Sequence, residues 1–163
     1  GGNGPESGRH AIRFAPDTGE LGMFQGAKSY LLENPEGQTL DTYSISAGLD
    51  YASVGPEHAW LKDIGRVNYS WATDQEAMSA FKDLCETEGI IPAIESSHAV
   101  AGAYKAAADL KAKGYEHPVM IINISGRGDK DMNTAGKWFG YLTDEQAKAL
   151  ESNGAQGNNA DGE

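Results

Sequence analysis

Five consecutive segments in the middle of the chain alternate between apolar runs typical of strands and amphipathic runs typical of helices. This alternation restricts the possible folds more than any other feature of the sequence. In chain order, the strand, helix, strand, helix and strand segments are residues 66–74, 73–89, 90–95, 96–114 and 117–125. Helices of this length between apolar strands imply right-handed crossovers and a parallel sheet. We therefore predict an α/β domain of three layers, with crossover helices on the faces of a parallel sheet.

Both central helices carry recognisable end signals. Thr73 and Glu76 have the spacing of a capping box, and Gly89 and Gly114 supply the two stops. The side chains predicted to face inward are Ala77, Ala80, Phe81, Leu84 and Cys85 in the first helix, and Val100, Ala103, Tyr104, Ala107 and Leu110 in the second.

The flanking regions are less regular. Two strand-like runs surround NPEG in residues 29–44, which predicts a hairpin or a long β-loop there. Thr143 and Gln146 form a second capping-box pattern, so a short final helix is expected in TDEQAKALE. Residues 151–163 contain no large apolar side chain, and we expect a disordered acidic tail after a domain that spans residues 1–150.

Composition excludes several classes of protein. The formal net charge is −11 and no basic stripe is visible, which argues against a nucleic-acid partner. No apolar run approaches the roughly 18 residues that a membrane span needs. The single cysteine, Cys85, excludes a disulfide within the chain and favours a reducing compartment, so we expect a cytoplasmic protein with an inert thiol.

Two places at the predicted sheet edge are candidates for chemistry. Ligands of open α/β sheets bind beyond the carboxyl ends of the strands, where Glu95 and the pair Ser125–Gly126 follow apolar runs. Glu95 is compatible with a general acid/base, a polar partner for a bound ring, or an acid that complements a helix N-terminus. His98, in the first turn of the same helix, is interpreted as structural.

Two loops leave alternatives open. In SGRGDKD, the glycines either let the backbone approach a ligand or simply turn the chain, and an adhesion role for RGD is disfavoured. Residues 46–58 form a tight irregular loop whose carbonyls either coordinate a monovalent cation or pack as a turn. The opening GGNGPESG matches neither common phosphate-loop spacing. That abrupt opening also indicates a cut through a longer protein or a processed start.

Three ordered motifs resemble one enzyme family. YSISAGLDYASVGPEHAWLKDIGR, EGIIPAIESSHAVA and NISGRGDKD resemble the β-subunit family of tryptophan synthase, and the similarity extends over residues 1–141. The resemblance implies two α/β domains with pyridoxal 5′-phosphate between them, of which this chain is the C-terminal part holding much of the second domain. It also implies a carbon–oxygen lyase that condenses L-serine with indole to give L-tryptophan and water.

The resemblance also implies roles for individual residues. Ser125 matches the serine that faces the cofactor's pyridine nitrogen, with Gly126 beside it, and Glu95 matches a glutamate near the cofactor ring. Gly48 and Asp50 match the loop beside the substrate, where the aspartate pairs with an arginine that lies outside this chain. The last implied site is a Na⁺ or K⁺ site formed by the backbone carbonyls of Tyr51 and Ser53.

Other expected parts of the family are absent from the sequence. The Schiff-base lysine, the acid/base glutamate and the phosphate loop all lie upstream in the family, so the chain alone is expected to be inactive. Phe24 and Gln25 stand where the family often has two aromatic residues beside its indole tunnel. The implied partners are a second β subunit and the α subunit, in an α2β2 assembly. The alternative is a non-catalytic α/β interaction module.

Overall fold

The computed structural model describes residues 1–15 and 17–157, with side chains described up to residue 150. The strands and helices are β1 (Glu20–Phe24), β2 (Ala27–Leu31), α1 (Pro56–Asp63), α2 (Asp74–Glu88), α3 (Ile94–Ala112), α4 (Met132–Trp138) and α5 (Asp144–Gly157). Short 3₁₀ turns lie at Pro5–Ser7, Ala47–Leu49 and Asp129–Asp131. The protein is therefore α/β, with a small two-stranded sheet. Among the described residues, no helix combines the length and apolarity that a membrane crossing requires.

Helix α2 begins and ends where the sequence predicts. The Thr73 hydroxyl accepts a hydrogen bond from the Glu76 amide at 3.2 Å, and the Glu76 carboxylate accepts one from the Thr73 amide at 2.8 Å. Gly89 ends the helix in the left-handed region, with φ of 67°. The predicted capping box and stop are confirmed.

The core lies where α2 packs against α3. Its two clusters of buried side chains are Ala72, Ala80, Val100 and Ala101, and Met78, Phe81, Ile94 and Ala135. The prediction that Tyr104 faces inward is wrong, because this side chain is 53% exposed. All the fully buried residues of α3 lie between Ile94 and Ala103, so the C-terminal half of the helix extends beyond the core.

The hairpin lies upstream of its predicted position. β1 and β2 pair in antiparallel register, and the two-residue turn between them is Gln25–Gly26, with φ of 48° and 81°. Such tight turns require positive φ at their central residues, which Pro35 of NPEG cannot adopt. A β-loop is nevertheless present around NPEG, as predicted: the Asn34 amide donates to the Gln38 carbonyl and the Leu40 amide to the Leu32 carbonyl, on either side of the bridge between Glu33 and Thr39.

The segments predicted to be parallel strands are extended but do not pair as a sheet within the described chain. One isolated antiparallel bridge, between Pro92 and Arg127, joins the second of them to the loop that follows the third. α3 already begins at Ile94, which shortens the predicted strand at 90–95. In the third segment Val119 and Ile121 are 94% and 97% exposed. Apolar strands with open edges indicate surfaces that normally contact other polypeptide.

Three helical regions differ from expectation. α1 and α4 were not predicted, although Pro56 at the first helical position and Glu57 beside it are helix-start signals. The Thr143–Gln146 capping box is present at the start of α5. α5 continues to Gly157, so helical backbone extends into the segment 151–163 that was predicted to be disordered. Residues 158–163 lie outside the described residues.

Candidate functional site

Two loops are tied together beside the N-terminus of α3. The Ala93 amide donates to the Gly126 carbonyl, and the Gly128 amide donates to the Ile91 carbonyl, both at 2.9 Å. A Cβ on Gly128 would lie 2.1 Å from the Pro92 carbonyl oxygen, so only glycine fits this approach. The pairing brings the start of α3 next to SGRGDKD, as the sequence predicted for neighbouring segments of one edge.

Ser125 is held by a second serine at this edge. Its hydroxyl lies 3.3 Å from that of Ser96, which also accepts a hydrogen bond from the Gly126 amide at 3.1 Å. Ser96 is only 3% exposed, whereas Ser125 is exposed. The buried hydroxyl therefore orients an exposed one that is free to bind a ligand from the open side. The sequence gives no local signal for this role of Ser96, because the two serines lie 29 residues apart.

Glu95 is a fixed anion rather than a proton donor. Its carboxylate accepts hydrogen bonds from the Lys130 ammonium at 2.9 Å and from the Gly48 amide at 3.0 Å. Partial burial by itself raises its pKa, but the hydrogen bonds from Lys130, its own amide and Gly48 outweigh burial and bring the pKa of Glu95 to about 2. A carboxyl group with this pKa stays ionised near neutrality, which disfavours the acid/base interpretation.

Gly48 accommodates the close approach of the Glu95 side chain. A Cβ at this position would lie 2.7 Å from the nearer carboxylate oxygen. The glycine thus allows the loop containing Gly48 and Asp50 to contact the start of α3. Asp50 is exposed, and its side chain makes no hydrogen bond or ion pair among the described residues. Its predicted pairing with an arginine outside the chain stays a prediction.

The charges that follow Ser125 have separate tasks. Lys130 contacts both Glu95 and Asp131, and these hydrogen bonds raise its pKa against the opposing effect of burial. Asp131 accepts the Ile94 amide at 2.9 Å and so caps α3 from a distant part of the chain. Arg127 and Asp129 form an exposed ion pair, of the kind that contributes little stability.

A buried carboxylate, that of Asp74, joins two backbone segments next to the candidate site. Asp74 is 1% exposed and accepts hydrogen bonds from the Gly2 amide at 2.6 Å and the Ile45 amide at 2.8 Å. Burial by itself raises the pKa of Asp74. The hydrogen bonds from Gly2 and Ile45 and the nearby His98 lower it by more than burial raises it, so the net shift is downward. His98 bonds the Ile94 carbonyl at 2.8 Å, consistent with the structural role predicted for it. The sequence does not indicate this role of Asp74, because its hydrogen-bond partners are distant along the chain.

The loop expected to bind a monovalent cation is contacted by the side chain of Arg13, which comes from the N-terminal segment. The Tyr51 carbonyl accepts a hydrogen bond from Arg13 Nη1 at 2.6 Å. The Ser53 side chain is largely buried and donates to the Val54 carbonyl, and Ser53 is not among the residues that contact Arg13. Phe24 packs edge-on against Tyr51, with ring centroids 5.7 Å apart, while Gln25 lies at the tip of the hairpin.

A cavity of about 800 Å³ adjoins these groups. Arg13, Leu49 and Glu95 line one part of it, and Trp71 and Ile121 line another. It therefore connects the polar cluster around Glu95 with the unpaired edges of two predicted strands. No group of three or more His, Cys, Asp or Glu side chains suited to a metal ion occurs among the described residues.

Comparison with known proteins agrees with the ordered motifs, although no protein-family model matches the chain. The tryptophan synthase beta chain of Mycobacterium tuberculosis is 59% identical over 141 residues, which is 86% of this chain and 32% of the relative. That of Mycobacterium leprae is 57% identical over 142 residues, with the same coverage of both chains. That of Streptomyces coelicolor is 49% identical over 154 residues, 94% of this chain and 35% of the relative.

The chain spans about a third of the length of the curated relatives it matches. The similarity and the clustered geometry lead to one assignment: this chain belongs to the tryptophan synthase beta chain family.

Proposed function

We propose that this chain is the C-terminal part of a tryptophan synthase beta subunit. The full-length protein would be a pyridoxal-phosphate-dependent carbon–oxygen lyase that condenses L-serine with indole, giving L-tryptophan and water. The observation that carries the proposal is the exposed Ser125 hydroxyl, oriented by buried Ser96 beside Gly126 in a chain with 59% identical relatives. The lysine that binds the cofactor covalently would come from polypeptide outside this chain, so the chain alone would be inactive.

The residues present suit pyridoxal 5′-phosphate. The cofactor supplies an electron-accepting pyridine ring when bound. Ser125 can donate one neutral hydrogen bond to the ring nitrogen, because Ser96 holds the hydroxyl without enclosing it. Gly126 has no side chain to obstruct a planar ring that lies against the backbone. A neutral donor leaves the nitrogen without the full positive charge that an aspartate would favour.

Glu95 and Gly48 would form the wall beside that ring. The carboxylate stays charged near neutrality, so it would act by position and electrostatic field rather than by proton transfer. Its contacts with Lys130 and Gly48 link the ring-binding edge to the substrate loop. Asp50, exposed on that loop, would pair with an arginine of the other domain when the site closes.

We further propose that the complete subunit contains the three-layer parallel sheet and that this chain contributes strands to it. The support is physical: Val119 and Ile121 are almost completely exposed, and residues 117–124 make no backbone–backbone hydrogen bond within the described chain. Buried parallel strands are near-continuous apolar runs covered on both faces. This observation disfavours the alternative of a self-sufficient interaction module. The proposed assembly is a cytoplasmic β homodimer with α subunits, in an α2β2 complex.

The test uses the full-length subunit with Ser125→Ala. A neutral hydrogen bond contributes about 1 kcal/mol net, so affinity for pyridoxal phosphate should fall roughly fivefold. Cofactor affinity is measured by equilibrium dialysis, and the rate of tryptophan formation from serine and indole is measured in parallel. Arg127→Ala, a neighbouring exposed side chain, is the control and should change neither quantity. Equal cofactor affinity in Ser125→Ala and the unmodified subunit contradicts the assigned role.

A further inference from the structure

Three backbone carbonyls converge on a single nitrogen of Arg13. Nη1 donates to the Tyr51 carbonyl at 2.6 Å, approaches the Leu49 carbonyl at 3.5 Å, and donates to the carbonyl of Ala11. Leu49 and Tyr51 lie 36 and 38 residues further along the chain. The arginine therefore joins the N-terminal segment to the loop that contains Gly48 and Asp50.

Arg13 is a half-buried cation whose hydrogen-bond partners are backbone dipoles rather than an acid. No ion pair includes Arg13 among the described residues. Burial lowers its pKa, but a guanidinium remains charged in proteins because its unperturbed pKa lies so high. Several carbonyl oxygens directed at one positive centre are also what a K⁺ or Na⁺ ion requires.

A bound metal ion and Arg13 exclude each other at this cluster. A metal ion within reach of the Leu49 and Tyr51 carbonyls would lie beside the guanidinium that already contacts them. Like charges a few ångströms apart repel, and both would compete for the same oxygen lone pairs. The residues present therefore do not fit the monovalent cation that the family resemblance implies for Tyr51 and Ser53.

We propose that the guanidinium of Arg13 is the resident cation of the Ala11–Leu49–Tyr51 carbonyl cluster, in place of a monovalent metal ion. Arg13 is a positioning residue: it fixes the carbonyls on either side of Asp50 and keeps the neighbouring Gly48 amide directed at Glu95. The link to catalysis rests on the proposed function, whereas cation binding and its effect on thermal stability do not. The full-length subunit is accordingly independent of K⁺ and Na⁺.

The experiment compares the full-length subunit with Arg13→Ala. Both are freed of alkali ions and studied at constant ionic strength in potassium chloride or tetraethylammonium chloride, because the latter cation is too large for a carbonyl cluster. Saturable binding is followed with Tl⁺, a K⁺ substitute, by ²⁰⁵Tl magnetic resonance. Melting temperature and the rate of tryptophan formation provide two further readouts.

The unmodified subunit should show no saturable Tl⁺ binding at the cluster and the same melting temperature in both salts. Arg13→Ala should bind Tl⁺ and melt higher in potassium. Its kcat/KM in tetraethylammonium should fall roughly tenfold, as loss of a charge-assisted contact implies, and recover in potassium. Saturable Tl⁺ binding by the unmodified subunit that Arg13→Ala leaves unchanged overturns the proposal, even if the variant is unstable.

Two further variants separate charge from general stability. Arg13→Lys retains a positive donor group and should remain largely independent of potassium. Arg66→Ala removes an exposed arginine with no side-chain partner among the described residues, and should not create a cation requirement. If Arg13→Ala gains Tl⁺ binding in a subunit that makes no tryptophan, this inference stands and the proposed function fails. If Arg13→Lys requires potassium as strongly as Arg13→Ala does, the charge-replacement argument is wrong.

Discussion

Lys130 lowers the pKa of Glu95 at the candidate site through a short contact. Its ammonium lies 2.9 Å from a Glu95 carboxylate oxygen and 2.8 Å from an Asp131 oxygen. Together with the Gly48 amide, it outweighs the effect of burial on Glu95. The anion is therefore a consequence of two distant loops that meet at the start of α3.

The pH dependence of stability follows from this arrangement. The pKa of Glu95 falls from 4.5 to about 2 in the folded protein, so its stabilising contribution is present above pH 4.5 and is lost as pH falls toward 2. In the full-length subunit, Lys130→Met should raise the pKa of Glu95 and move acid unfolding to higher pH. Carboxyl ¹³C titration and circular dichroism measure the two effects.

The matched control for that prediction is Lys137→Met. Lys137 lies 3.7 Å from Asp144 in a more exposed pair, so its removal should leave both the Glu95 titration and acid unfolding nearly unchanged. An unaltered Glu95 pKa in Lys130→Met would show that the lysine does not set the charge of the site.

At the scale of elements, α3 depends on a cap supplied by another part of the chain. Its N-cap residue, Ala93, has no side chain that can accept a hydrogen bond, and Asp131 takes that task for the Ile94 amide. This contact couples the formation of α3 to the docking of SGRGDKD. The helix start and the Ser125 loop should therefore be lost together.

Replacing this cap should destabilise the fold measurably. Asp131→Ala removes the acceptor for the Ile94 amide, and caps of this kind contribute about 1 kcal/mol. Urea unfolding of the full-length subunit should show the loss, with little change for Asp129→Ala, whose ion pair is exposed. Equal free energies of unfolding for the two variants would mean that the Asp131 cap does not contribute to stability.

At the scale of the whole molecule, the described chain has apolar strands without a sheet. Val119 and Ile121 are almost completely exposed, and residues 117–124 make no backbone–backbone hydrogen bond within the described chain. Pairing with a neighbouring strand would satisfy the exposed backbone donors and bury the apolar side chains, and both effects lower the free energy. The relatives, about three times as long, contain the additional polypeptide that such pairing needs.

Hydrogen exchange on the full-length subunit tests this interpretation. Amides 119–123 should exchange slowly, as expected for a central strand of a buried sheet. The exposed turn at Glu36–Gly37 provides an internal reference for rapid exchange. Rates at 119–123 that match the turn would show that the segment stays unpaired, and would remove the argument for the completed parallel sheet.

Local signals in the sequence were sufficient for part of the fold. Capping boxes at Thr73 and Thr143 and the stop at Gly89 depend on residues three to a few positions apart, so α2 and the start of α5 were predictable. Ordered motifs also identified the family and the candidates Ser125, Gly126 and Glu95. The exposure of Tyr104 was not predictable, because helical periodicity does not show where the core ends.

The sequence by itself determined the helices that carry their own end signals, the candidate polar residues and the family to which the chain belongs. Only the tertiary structure decided that Ser96 orients Ser125, that Lys130 fixes the charge of Glu95, and that Arg13 fills the carbonyl cluster at Tyr51. The physical reason is the separation along the chain over which each interaction acts. Capping and periodicity act between neighbours in the chain, whereas these contacts join residues about 30 or more positions apart and exist only after the loops meet.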